Sequence, residues 1–94
     1  MKKNKIKSLK SLSMKLNKLS KSNVIIHCHG VFDLLHLGHI KHFESAKTKR
    51  DFLIVSITSD KYVNKGPGRP LFNNDIRANT ISALSIVDAV IISN

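Results

Sequence analysis

Apolar positions from residue 24 onward fall into three short runs and two stretches of helical spacing. The first run, 24–28, opens with three β-branched residues and no polar alternation, which is typical of an inner strand buried on both faces. The runs 52–57 and 87–92 have the same character. Between them, Ile40, Phe43 and Ala46 recur at helical intervals. After helix-capping candidates at 73–75, a second set lies on one face of a helix and comprises Ile76, Thr80, Ala83, Leu84 and Val87. This order predicts parallel strands joined by right-handed helical crossovers.

A further apolar stripe precedes the first strand. Its members, at spacings of three and four, are Ile6, Leu9, Leu12, Leu16 and Leu19. The spacing predicts an amphipathic helix. Residues 1–21 also hold eight lysines and no acidic residue, so most of the formal net charge of +10 lies there. We therefore divide the chain into a basic N-terminal helix, 1–22, and a domain, 23–94, onto which the stripe packs; a targeting or surface-binding helix is the alternative.

The remainder of the chain is nearly balanced in charge, with eight basic and six acidic residues in 22–94. This balance predicts neither a nucleic-acid partner nor a membrane partner. No stretch approaches the roughly 18–20 apolar residues that a membrane-spanning helix needs. A single cysteine, Cys28, fits a reducing compartment, and we expect a cytoplasmic protein.

The first strand leads through Gly30 into a tight turn and then into the helix that begins near His36 and His39. A strand, a glycine-containing turn and a helix N-terminus present backbone N–H groups and the positive end of the helix dipole, which together suit a phosphate. The two histidines flank that position. Five histidines and Cys28 fall within 27–42, but none of the usual metal-site spacings occurs, so we predict no metal ligands.

The segment 58–74 is polar and contains Lys-Gly-Pro-Gly-Arg-Pro at 65–70. Turn formation alone explains its glycines and prolines. Lys65 and Arg69 are different, because ligands of open α/β sheets bind outside the carboxyl ends of the strands and this loop follows the second strand. We expect both cations to face phosphates. Arg77, in the first turn of the next helix, is expected either in a salt bridge or in substrate binding.

Two stretches resemble a known family. The sequence GVFDLLHLGH at 30–39 is similar to the signature of the HxGH nucleotidylyltransferase superfamily, with its cytidylyltransferase-like domain. The run TSDKYVNKGPGRPLF at 58–72 resembles the heptose-phosphate adenylyltransferase half of sugar kinase/nucleotidylyltransferase enzymes. The resemblance implies a Rossmann-like, three-layer α/β/α fold around a parallel sheet, of which this chain holds the N-terminal part.

The resemblance also assigns roles to residues. It implies that His36 and His39 contact the α- and β-phosphates and that Lys65 bridges nucleotide and substrate phosphates, which makes these three the catalytic residues. The expected nucleotide-binding residues are Gly30, Val31, Phe32, Asp33, Gly38 and Arg69. Asp33 is expected to orient either a histidine or the turn.

The implied reaction is transfer of an adenylyl or cytidylyl group from ATP or CTP, with Mg²⁺, to a sugar phosphate such as heptose 1-phosphate, with release of pyrophosphate. A glycerol-phosphate-type cytidylyltransferase, an inactive nucleotide-binding fragment and a basic nucleic-acid-binding module are the alternatives. Members of the superfamily continue through two more strands. We therefore expect this chain to lack the C-terminal half of the domain, to be inactive alone, and to pair the edge at 24–26 with a second copy or with a partner chain that supplies the missing half.

Overall fold

The computed structural model describes residues 4–19, 23–47, 51–63, 70 and 72–93. Within these ranges the chain forms α1 (Leu9–Asn17), β1 (Ile25–Gly30), α2 (Leu37–Ala46), β2 (Phe52–Thr58), a 3₁₀ turn (Asp60–Tyr62), α3 (Asn74–Ser82) and β3 (Ala89–Ser93). Lys65 and Arg69 lie outside the described residues.

The described strands form one parallel sheet in the order β1-β2-β3. Ile25 pairs with Phe52 at the start of β1 and β2, and Ile54 pairs with Ala89 across β2 and β3. The parallel arrangement follows from the helical crossovers, which return each strand to the same end of the sheet. The predicted α/β fold with a parallel sheet is thereby confirmed.

Residues of β2 alternate between the two faces of the sheet, which gives the structure three layers. Leu53, Val55 and Ile57 are fully buried in a core cluster that includes Phe43 of α2 and Ile81 of α3. On the other face, Ile54 and Ala89 of the sheet pack against Leu12 of α1, which is 5% exposed. The continuous apolar sequence of β2 therefore reflects helices on both of its faces.

The prediction that the start of β1 is buried on both faces is wrong. Val24 is 53% exposed and Ile25 is 47% exposed. The reason is the position of α1, which packs over β2 and β3 through Leu12 and Leu16. In the described part of the chain, β1 is an edge strand and only its other face, through Ile26 and Cys28, joins the core.

The N-terminal helix is shorter than the predicted stripe. It begins after Ser8, whose hydroxyl accepts a hydrogen bond from the Ser11 backbone N–H at 3.1 Å. Ile6 instead forms a parallel bridge with Val90 of β3, and Leu9 is 71% exposed. The expected packing of the stripe on the sheet therefore holds for its middle part. No helix among the described residues is long and apolar enough to cross a bilayer.

The face of α3 that packs inward also differs from the prediction. Asn73 caps the helix as expected, with its side-chain oxygen accepting from the Ile76 backbone N–H at 2.9 Å. However, the buried residues are Arg77, Ala78 and Ile81, whereas Ile76 is 48% exposed. The helix is rotated because the Arg77 guanidinium group finds its hydrogen-bond partners inside the protein.

Candidate active site

The N-terminus of α2 is capped by two imidazole rings. His36 is the N-cap residue, and its Nδ1 accepts a hydrogen bond from the Gly38 backbone N–H at 3.0 Å. His39, one turn later, returns the interaction, because its Nδ1 accepts from the His36 backbone N–H at 3.1 Å. The two rings stack with their centroids 4.0 Å apart. This arrangement is a reciprocal capping box in which histidines take the places of the usual Ser or Thr and Glu.

The capping bonds also fix the tautomer of each ring. A backbone N–H can only donate, so Nδ1 of His36 and Nδ1 of His39 must both be acceptors. The proton of each neutral ring is therefore on Nε2. The sequence predicted that backbone N–H groups at this turn would bind the anion, but two of them, those of His36 and Gly38, are donated to the rings. The imidazole Nε2–H groups are the donors that the two rings retain at the positive end of the helix.

The geometry explains the glycine between the two histidines. A Cβ atom at Gly38 would lie 2.8 Å from Cε1 and 3.0 Å from Nδ1 of the His36 ring. Carbon atoms in contact are normally about 3.5–4.0 Å apart, so any larger residue would displace the ring. Gly38 therefore acts through His36, by giving that ring space to fold over the helix terminus.

Phe32 supports the histidine pair from the loop after β1. Its backbone has φ of 51°, in the left-handed region, which costs about 1–3 kcal/mol for a residue other than glycine. In this conformation its ring packs edge-on against His39, at a centroid distance of 5.3 Å, and against Phe43 at 5.5 Å. A Cβ atom at Gly30 would lie 2.9 Å from the same ring. Gly30 and Phe32 therefore form one packed unit beneath His39.

Asp33 and Val31 connect this loop to the rest of the domain. Asp33 is 8% exposed, and its carboxylate accepts a hydrogen bond from the Phe72 backbone N–H at 2.9 Å. The Val31 carbonyl accepts from Arg77 at 2.9 Å. Of the roles expected for Asp33, this contact corresponds to fixing the turn.

Arg77 is a structural residue. It is 1% exposed, and all five of its guanidinium N–H groups have acceptors at 2.7–3.2 Å. The acceptors are the carbonyls of Val31, Thr58 and Phe72 and the side chains of Asp60 and Asn74. The ion pair with Asp60 spans 2.7 Å. The salt-bridge alternative is therefore correct, and the guanidinium has no donor left for a substrate.

These bonds bracket the segment that carries Lys65 and Arg69. Asp60, on one side of it, pairs with Arg77, and Phe72, on the other side, is held by Asp33 and Arg77. Both flanks of the segment are thereby fixed to the loop that leads to His36. The roles of Lys65 and Arg69 remain predictions.

A hydrogen-bonded group that the sequence did not identify lies on the face of the sheet that also packs against α1. Nε2 of His27 lies 2.7 Å from Oγ of Ser56, and Nδ1 of His29 lies 2.6 Å from the same oxygen. Ser56 is 2% exposed. A signal was present, because Ser56 interrupts an otherwise apolar strand and a buried hydroxyl requires a partner.

Cys28, between these histidines in sequence, points to the other face, where burial raises the pKa of its thiol. No group of three or more His, Cys, Asp or Glu side chains in the described ranges is placed to hold a metal ion.

Together, the parallel sheet, the tight loop after β1 and the histidine-capped helix define an α/β domain of the HxGH type. Comparison with known proteins gives the particular family. Residues 27–94 match the family model described as Cytidylyltransferase-like, and the chain belongs to this family. The resemblance to nucleotidylyltransferases drawn from 30–39 is thereby confirmed.

The chain is also similar to several individual proteins. It is 40% identical over 86 residues to the bifunctional protein HldE of Aliarcobacter butzleri, covering 89% of this chain and 18% of that protein. It is 50% identical over 66 residues to HldE of Hyphomonas neptunium, covering 68% and 14% respectively. The chain thus spans less than a fifth of the length of these curated relatives.

Among solved structures, a lipopolysaccharide core biosynthesis protein from Thermoplasma volcanium matches with a TM-score of 0.68 and 34% identity, over 76% of this chain and 58% of that one. This likeness confirms the Rossmann-like fold class.

Proposed function

We propose that this domain transfers a nucleotidyl group from ATP or CTP to a sugar phosphate, with release of pyrophosphate. The observation that supports this function most strongly is the pair of stacked histidines at the start of α2. Their Nδ1 atoms are occupied by backbone N–H groups, so each neutral ring offers an Nε2–H donor. The family of the chain and its HldE relatives support the same reaction class.

This donor pair suits the chemistry of the reaction. The attacking group is a phosphate oxygen of the acceptor, which is already ionised near neutral pH, so no general base is needed. The reaction is limited instead by the charge that gathers on the α-phosphate oxygens and on the departing pyrophosphate. Fixed N–H donors at a helix N-terminus stabilise that charge without having to reorganise. We propose that Lys65 adds a positive charge from the loop after β2.

Mg²⁺ is expected with the triphosphate, and the two carboxylates described near the site both have partners within the protein. Magnesium prefers carboxylate and water ligands. The carboxylate of Asp33 is buried and accepts from Phe72, and that of Asp60 is paired with Arg77. We therefore propose that Mg²⁺ enters bound to nucleotide oxygens, and assign it no residue.

The acceptor is proposed to be a sugar phosphate such as heptose 1-phosphate. Support comes from the Lys-Gly-Pro-Gly-Arg-Pro sequence at 65–70, which glycerol-phosphate cytidylyltransferases lack, and from the HldE relatives. A glycerol-phosphate-type cytidylyltransferase is the second candidate. The cytoplasmic location expected from the sequence remains a prediction.

The experiment measures pyrophosphate release and triphosphate binding by the chain, with Mg²⁺, ATP or CTP, and a panel of sugar phosphates and glycerol 3-phosphate. In an enzyme that contains the complete domain, His39→Ala should lower turnover by roughly 10²- to 10³-fold, the usual effect of losing one charge-stabilising donor, with little change in Tm. His42→Ala is the matched control, since His42 is exposed on the same helix.

Three results would change the assignment. Unchanged turnover in His39→Ala would remove the histidines from the chemistry. Triphosphate binding without any pyrophosphate release would support the alternative of an inactive nucleotide-binding fragment. A steep loss of affinity with salt and no preference for free triphosphates would instead indicate a nucleic-acid-binding module.

A further inference from the structure

A pocket of about 400 Å³ lies between the N-terminal segment, α1 and the connection from α3 to β3. Phe52, the first residue of β2, and Asp88, directly before β3, place it at the amino ends of the strands. His36 and His39 follow the carboxyl end of β1 instead. The seven residues of β2 span about 20 Å, at about 3.3 Å per residue, so the pocket and the histidines lie at opposite ends of the sheet.

Three lysines from two separate segments line this pocket. The Lys7 backbone N–H donates to the Val90 carbonyl at 2.8 Å, and the Val90 N–H donates to the Lys5 carbonyl at 2.9 Å. Side chains two residues apart in an extended segment point to the same side. Lys5 and Lys7 therefore both face the pocket, whereas Ile6 between them packs against the core. Lys15 reaches the pocket from the last turn of α1.

The positive charge of these lysines is not offset by the described lining. Its acidic residue, Asp88, is already paired, since Oδ2 of Asp88 lies 2.6 Å from Nζ of Lys47. In the part of the chain that the structure describes, neither Lys7 nor Lys15 forms an ion pair. Like charges gathered around one cleft repel one another and raise the local concentration of anions. A bound anion would relieve that repulsion.

We propose that this pocket is a second anion site, which binds a small soluble molecule through a phosphate or pyrophosphate group. Ammonium groups bind phosphates as point charges, and Asn4 and Ser85 add neutral hydrogen-bonding groups to the lining. The volume lies within the range of small-molecule sites, roughly 300–1,000 Å³. The anion would fasten the N-terminal segment, α1 and the connection before β3 to one another. This inference does not depend on the proposed function.

The test is a titration of the chain with inorganic pyrophosphate, without Mg²⁺ and at constant ionic strength, followed by backbone amide chemical shifts. We expect saturable shifts at residues 7, 85 and 88, which are distinct from any shifts at residues 36 and 38. The Tm should rise with pyrophosphate concentration, because a ligand that binds the native state stabilises it.

The variants Lys7→Gln and Lys15→Gln should each weaken binding at residues 7, 85 and 88 several-fold, and the double variant by about tenfold or more, because each removes a charge-assisted bond. Lys10→Gln is the matched control, since it removes the same charge from α1 but does not line the pocket. Lys5 is left unchanged, because its Nζ donates to the Leu84 carbonyl at 2.9 Å and helps to attach the N-terminal segment.

The absence of saturable shifts at residues 7, 85 and 88 in the parent would overturn the inference. Shifts confined to residues 36 and 38 would do so as well, because pyrophosphate would then bind only at the histidines. An equal loss of affinity in Lys10→Gln and Lys7→Gln would also refute it, since anions would then be attracted to the basic N-terminal region as a whole and not to this pocket.

Discussion

Gly38→Ala separates the stability of α2 from the position of the His36 ring, which is proposed to act in the reaction. The added Cβ would lie 2.8 Å from Cε1 of His36, so the ring must move by roughly 0.7–1 Å to reach normal contact. That movement breaks the 3.0 Å bond from the Gly38 backbone N–H to Nδ1. Loss of such a cap costs about 1 kcal/mol. Replacing glycine by alanine in a helix returns up to about 1 kcal/mol, so the two terms nearly cancel.

The effect of Gly38→Ala on activity should be much larger than its effect on stability. Misplacing a reacting or stabilising group by about 1 Å can reduce a rate by roughly 10²-fold. We therefore expect Gly38→Ala to lose about two orders of magnitude in turnover, or a comparable share of triphosphate affinity, while its Tm stays within about 5 °C of the parent. Pyrophosphate release, calorimetry and thermal melting measure the three quantities on one sample.

Ser45→Ala is a suitable control, because it raises helix propensity near the other end of α2 and leaves both rings untouched. It should retain full activity. A Gly38→Ala variant with full turnover and a free energy of unfolding about 1 kcal/mol above that of the parent would contradict this reasoning. The His36 ring would then be able to move without loss of function.

Three further predictions follow from individual side chains. Lys65→Ala should weaken triphosphate binding in calorimetry without changing the Tm of the free protein; equal affinity would remove Lys65 from the site. Arg77→Met should lower the free energy of unfolding by about 3 kcal/mol in a denaturant titration, and Arg77→Lys should recover only part of this, because an ammonium group cannot reproduce the fork of five donors. Burial raises the pKa of the Cys28 thiol, so alkylation by iodoacetamide between pH 7 and 9 should be slower in the folded protein than in guanidinium chloride, where the thiolate fraction is larger at each pH; equal rates would refute this.

The sequence predicted the order of the elements well. It placed the second strand at 52–57, and the structure has β2 at Phe52–Thr58. The helix start near His36 was also predicted, because a glycine turn and helical spacing are local signals. These features succeed because they depend on neighbours along the chain.

Features that depend on distant partners were predicted less well. The exposure of Ile25 depends on where α1 packs, and no local pattern fixes that position. The rotation of α3 depends on Arg77, whose acceptors include carbonyls 19 and 46 residues away in sequence. A buried arginine is rare, and the periodicity of apolar residues placed Ile76, rather than Arg77, on the inner face.

The candidate site shows the same division. His36 and His39 were identified from their motif, but their mutual capping depends on ring orientations that a sequence does not encode locally. The contribution of His29 was left open, because its contact with Ser56 connects two strands that are 27 residues apart.

The imidazole capping box means that an anion can influence backbone amides that it does not touch. An anion that accepts from Nε2–H of His36 attracts that proton and leaves more electron density on the ring, which strengthens the bond that Nδ1 accepts from Gly38, because successive hydrogen bonds polarise one another. The same applies to His39 and the amide of His36. Binding of an anion at the rings should therefore increase the hydrogen-exchange protection of the amides of residues 36 and 38 and change their chemical shifts. These amides are separated from the anion by the width of one ring.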